Sequence, residues 1–124
     1  MQYLAIFLGG GLGSLCRFYL SRFNGFNGTW MPWGTLTANF MSCIVLGFIT
    51  AYLMAKTGQN PIFKPLLAVG FCGGFSTFST FSLETFNLLK QGQMVCAFTN
   101  ISLSIVLCLL ALFIGFSLQA YCFK

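Results

Sequence analysis

Four long apolar runs alternate with short polar breaks along the chain. The runs cover 3–21, 33–54, 66–89 and 94–121. Each has the roughly 20 residues that a helix needs to cross the hydrocarbon of a bilayer. The breaks are built from turn and interface residues. The first holds Asn24, Gly25, Asn27 and Gly28 and closes on Trp30, Pro32 and Trp33; the second holds Lys56, Gly58, Pro61 and Lys64; the third is Gln91 to Gln93. Indole rings anchor at the membrane boundary, and proline suits the first turn of a helix. The pattern predicts an all-α integral membrane protein with four transmembrane helices in one domain, 1–124. The fourth run exceeds what a span needs, so it should tilt or protrude.

The third run breaks the pattern. Gly70-Phe71-Cys72-Gly73-Gly74-Phe75-Ser76-Thr77-Phe78-Ser79-Thr80-Phe81-Ser82 starts apolar and ends in hydroxyls. Gly70, Gly73 and Gly74 weaken helix propagation, and hydroxyls at membrane depth require partners. The stretch predicts a broken helix, opened near Gly73 to Ser76, that lines a polar path. Backbone carbonyls freed at such a break are tolerated where they line a cavity or hold a cation.

Composition narrows the class. Hydrophobic residues make up 57% of the chain and charged residues 6%, with a net charge of +5; the mean hydropathy is +0.86. A soluble surface carries far more charge, so this surface faces lipid. The scattered cations do not form the basic face that nucleic acid requires. The first run lacks a basic start and ends in Arg17 and Arg22, and so reads as a span, not a cleavable signal. Gly9-Gly10-Gly11-Leu12-Gly13-Ser14 lacks the preceding strand and following Lys of a phosphate loop; it reads as close helix packing. Cys16, Cys43, Cys72, Cys96, Cys108 and Cys122 include no C-x-x-C pair and the chain has no His, which favours buried hydrophobes over a metal or disulfide framework. Without His no nucleophile–base pair is visible, and an enzyme is not expected.

Several polar residues lie inside the runs. Arg17 must snorkel or face a water-filled vestibule. Asn39 is either interhelical glue or an N–H donor to a passing anion. Asn100, Ser104 and Cys108 recur every four residues on one face of the fourth run, as packing glue or as a pore wall. Glu84, the single acid, is either solvated at a helix end or part of a path. A polar path of hydroxyls and an amide, with one carboxylate, suits an anion better than a cation. Phe78 and Phe81 lie three apart, near enough to act together, and their positive ring edges suit an anion.

Four spans place both termini on one side. Lys56, Lys64 and Lys124 then share that side, while Arg17, Arg22 and Lys90 share the other. An even split gives no orientation, so both insertions are expected, and oppositely inserted copies can pair as an antiparallel dual-topology homodimer. Two breaks would meet at its midplane, where one monovalent cation could satisfy both.

These residues resemble the Fluc (CrcB-type) fluoride channels over the whole length. Gly9-Gly10 through Gly13 and Arg17-Phe18 is similar to the family's first-span motif. Gly34-Thr35-Leu36-Thr37-Ala38-Asn39 is similar to its Gly-Thr-Leu-x-x-Asn, and 70–82 looks like its third-span signature. The resemblance implies a multi-pass inner (plasma) membrane homodimer with two parallel pores that passively export fluoride and relieve its toxicity. It implies Phe78 and Phe81 as pore rings, Asn39 as pore amide, Ser79 and Thr80 in the hydroxyl lining, and Gly73 and Ser76 as carbonyl donors to a central structural Na⁺. It implies Glu84 near one pore mouth and Arg17 near the other vestibule. The fourth span departs from the family: Cys108 stands in place of the usual Ser, and Ser104 in place of an aromatic or His one turn earlier. A thiol is the weaker donor.

Two rival readings remain at this stage. A small dual-topology multidrug or cation exporter would need an acid in the first span, and none is there. A structural subunit of a membrane complex would show no ion flux.

Overall fold

The computed structural model describes residues 1–23, 31–56 and 60–123; the expectations placed on Asn24, Gly25, Asn27, Gly28, Trp30, Gly58 and Lys124 lie outside the described residues. The described residues are helical with short connections. Helix α1 covers Gln2–Phe23 and α2 covers Trp33–Ala55, with Pro32 as its N-cap residue. The third span opens with wide π-helical turns over Lys64–Cys72, continues as one α-turn, α3 (Gly73–Phe75), and resumes as α4 (Phe78–Lys90). Helix α5 covers Met94–Cys122. All four spans are long and apolar enough to cross a membrane.

The bundle is two tight helix pairs laid side by side. In one, Gly9 and Gly13 of α1 press against the backbone carbonyls of Leu66 and Phe71. In the other, Gly47 of α2 and Gly115 of α5 meet backbone to backbone. A side chain at any of these four positions would collide with main chain, and such contact between small residues is what brings membrane helices together. Ala38 and Ala111 are fully buried along the second pair. Polar ties add to this: Asn100 of α5 donates to Thr85 of α4 at 2.9 Å, so the polar face expected on the fourth span begins as packing glue. At the other end of the bundle the Lys56 ammonium lies 4.8 Å from the Tyr52 ring, which stacks on Phe123. Leucine, isoleucine and phenylalanine side chains cover the outside, as lipid contact requires.

The break falls at the end of the expected stretch. Gly73 keeps helical torsions (φ −64°, ψ −36°), whereas Ser76 (φ −79°, ψ 153°) and Thr77 (φ −149°, ψ 116°) are extended. Hydroxyls account for the position. The Cys72 carbonyl receives the Ser76 N–H and hydroxyl, both at 2.9 Å, and the Ser42 hydroxyl at 3.0 Å. That ends one helix. Thr77 starts the next as an N-cap, its Oγ1 accepting the Thr80 N–H at 3.3 Å.

Candidate functional site

Asn39 of α2 holds the break open. Its Oδ1 accepts the Thr77 N–H at 2.8 Å and its Nδ2 donates to the Thr77 carbonyl at 3.3 Å. In a continuous helix that N–H would go to Gly73, so the Gly73 carbonyl loses its helical donor. Of the two open readings for Asn39, glue is therefore realised, with main chain as the partner. One Nδ2 proton is left over.

Beside this clamp lies a pocket of about 260 Å³. Asn39, Phe78, Phe81, Ser104 and Cys108 all line it, so five residues singled out from three separate spans converge on one space. The Phe78 and Phe81 centroids are 5.6 Å apart with planes tilted by 43°. Ser104 is a buried residue whose side chain lines the pocket and makes no hydrogen bond among the described residues. Phe78 is 79% exposed in the single chain; its ring stands at the rim of the pocket, where a second copy or lipid must cover it.

The remaining hydroxyls are less available than expected. Ser79 and Thr80 both turn to Thr77 Oγ1, at 3.2 and 3.1 Å, and Ser76 is tied to Cys72. Unwound backbone has first claim on nearby donors. Thr80 nevertheless lines a second pocket of about 210 Å³ with Arg17, Ser21, Thr35 and Thr77. There the Arg17 Nε is buried with no hydrogen-bond partner among the described residues. The Arg17 side chain lines this cavity. Thr77 lines both pockets.

Glu84 sits at the same end of the bundle. Thr35 donates to its Oε1 at 2.7 Å, and Oε2 is buried without a partner among the described residues. Glu84 also lines a third cavity, of about 280 Å³, with Asn87, Gln91 and Gln93. Arg17 and Glu84 were expected near opposite mouths. Within one chain both approach Thr35, because α1 ends and α2 begins on the face that α4 reaches at Glu84.

Three contributors were missed from sequence. Thr77 carried a readable signal, a Thr placed just before a helical run. Thr35 stood inside the Gly34-Thr35-Leu36 motif with no role attached and Cys43 carried no signal; the role of each depends on a neighbour far along the chain.

The donor set fits the Na⁺ that the resemblance implies. Gly73 O has lost its helical donor, and Ser76 leaves the helix with extended torsions. Carbonyl oxygens are the ligands a hard cation takes, and a second copy would supply the rest of the shell.

The chain is similar to known proteins over most of its length. The family described as CrcB-like protein, Camphor Resistance (CrcB) matches residues 4–116. A protein of Pyrococcus horikoshii named fluoride-specific ion channel FluC is 42% identical over 117 residues, 91% of each chain. One of the same name from Methylocella silvestris is 40% identical over 120 residues, covering 93% of this chain and 90% of the relative. One from Escherichia coli is 42% identical over 104 residues, covering 83% and 81%. A match that takes in all four spans, the third-span break and every residue lining the Phe81 pocket leaves one assignment: this chain belongs to the CrcB-like family.

Proposed function

We propose that this multi-pass membrane protein is a passive fluoride-selective channel of the inner (plasma) membrane, acting as one four-helix unit over 1–124 in an antiparallel homodimer with two pores. The observation that carries the reading is the Phe81 pocket: the Phe78 and Phe81 rings, the Asn39 amide and Ser104 line a space without a carboxylate. The names of its relatives support it.

An anion loses hydration on entering such a space, and donors fixed in place replace its water. The Ser104 hydroxyl and the Asn39 amide donate hydrogen bonds, and Phe78 and Phe81 offer positive rims. Small hard donors in a narrow space favour the smallest halide over chloride. The Arg17 charge concentrates anions at the other pocket that Thr77 lines. Thr35 and Glu84 then define the outlet toward Gln91 and Gln93.

The second copy closes the exposed side of Phe78 and brings two Gly73–Ser76 segments together. A Na⁺ held there by carbonyls would add positive charge between the pores and tie the two chains. Asn39 has the prior role for the Gly73 carbonyl, whose helical donor it takes, while Thr77 Oγ1 takes the donor of the Ser76 carbonyl.

The driving force needs no catalysis. Hydrogen fluoride, a neutral weak acid, enters through lipid and ionises in a more neutral cytoplasm. A negative interior then expels the anion with about 2.3 kcal/mol per charge per 100 mV. The test is fluoride-electrode efflux from proteoliposomes with chloride as the comparison. Fluoride release well above chloride is expected; equal release, or none, overturns the reading. A multidrug or cation exporter gains no support from the site, since neither pocket that includes Thr77 contains an acid.

A further inference from the structure

The wall of the Phe81 pocket holds two thiols that anion passage leaves without a task. Cys43 comes from α2 and Cys108 from α5, and both line this one pocket, each within electrostatic reach of the other. Both are free. Cys72 approaches Cys43 from the third span but is buried away from the pocket. No cluster of three or more metal-ligating side chains occurs among the described residues, so a tetrahedral zinc site does not form. Two neighbouring thiols are instead the donor set of a soft cation that prefers two ligands. Phe78, Phe81 and Ile105 line the same pocket beside the two thiols.

We propose that Cys43 and Cys108 form a two-thiol site for a soft, linearly coordinating divalent cation of the Hg²⁺ type, and that its capture closes the anion path. Both S–H bonds break, two S–Hg bonds form, two protons leave to water, and no atom changes oxidation state. The bis-thiolate product is neutral and occupies the space beside Phe81. Closure rests on the channel reading above; binding does not.

The test uses protein carrying Cys16→Ser, Cys96→Ser and Cys122→Ser, which leaves Cys43, Cys72 and Cys108 as its thiols, with Hg²⁺ alone as the probe. Equimolar Hg²⁺ should produce thiolate-to-mercury absorption and slow fluoride efflux, and excess dithiothreitol should reverse both. Adding Cys43→Ser or Cys108→Ser should abolish the equimolar absorption and raise the blocking concentration about tenfold or more, since each tenfold step corresponds to only about 1.4 kcal/mol of lost binding. Adding Cys72→Ser should change neither. Size-exclusion elution matching the parent establishes that each variant folds. Equimolar absorption that survives both pocket substitutions, or is lost with Cys72→Ser, overturns the site. Bound Hg²⁺ with unchanged efflux overturns the closure. Protein that binds Hg²⁺ as expected yet never conducts fluoride supports the thiol site and fails the channel reading.

Discussion

Asn39 and Thr77, on different helices, exchange two hydrogen bonds: the Thr77 N–H reaches Asn39 Oδ1 at 2.8 Å, and Asn39 Nδ2 reaches the Thr77 carbonyl at 3.3 Å. One side chain thus satisfies both backbone groups of one residue at membrane depth, where water cannot. Asn39→Leu strands both groups. Each stranded backbone group costs about 1–3 kcal/mol. The melting temperature in detergent should therefore fall by about 5 °C or more, with loss of fluoride efflux. Asn39→Asp keeps the acceptor for the Thr77 N–H and should recover part of the stability. An unchanged melting temperature in Asn39→Leu would mean that the break holds itself open.

Phe81 faces the pocket from α4, its ring 5.6 Å from that of Phe78. Phe81→Ile retains hydrophobic bulk but removes the ring edge. Efflux should slow about tenfold or more, a barrier change of only about 1.4 kcal/mol, while the melting temperature moves little because a large apolar residue replaces another. Wild-type flux in this variant would remove the ring-edge role. The largely exposed Phe78 provides the companion test: Phe78→Ile should have less effect on monomer stability than on flux.

Two glycines in α1 separate packing from propensity. A Cβ on Gly13 would strike the Phe71 carbonyl, whereas a Cβ on Gly11 meets nothing within 4 Å. Gly13→Ala should destabilise by about 1–3 kcal/mol, the usual penalty of overpacking. Gly11→Ala should be neutral or stabilising, by up to about 1 kcal/mol, because alanine is the better helix former. Thermal unfolding of the two variants in one detergent checks the difference, and equal behaviour would show that the α1 contact is not close-packed in solution.

The four spans were legible because run length alone distinguishes a membrane helix. The break was legible because glycine and hydroxyl residues cluster where a span should be uniformly apolar. Convergence of Asn39, Phe81, Ser104 and Cys108 was implied by the family resemblance alone, since spacing placed only Asn100, Ser104 and Cys108 on one face. The use made of each donor was not legible. Asn39 read as a donor to an anion, yet its first obligation is to Thr77, a residue 38 positions away. Ser79 and Thr80 read as lining, yet both bond to Thr77. The Thr35–Glu84 bond spans 49 positions and two helices, and no periodicity encodes it. The π-helical winding of Lys64–Cys72 likewise has no local signature, since its residues suit an α-helix equally well.

The even distribution of cations leads to a test of assembly. Three lysines lie on the side of the termini, and two arginines and a lysine lie on the other. With no charge bias, insertion in both directions should occur in similar amounts. Cys122 lies exposed at the end of α5, so protein with the other cysteines changed to Ser carries one reporter. An impermeant maleimide should label about half of it from outside intact cells and the rest only after permeabilisation. Placing lysines on the third break, Gln91→Lys with Gln93→Lys, makes the split five to three. That break should then be retained in the cytoplasm, Cys122 should label mostly from outside, and fluoride efflux should fall as antiparallel pairs become scarce. Co-expression with a chain biased the opposite way should restore efflux, a rescue that a parallel dimer or a monomer would not show. One-sided labelling of the unbiased chain would overturn the antiparallel assembly.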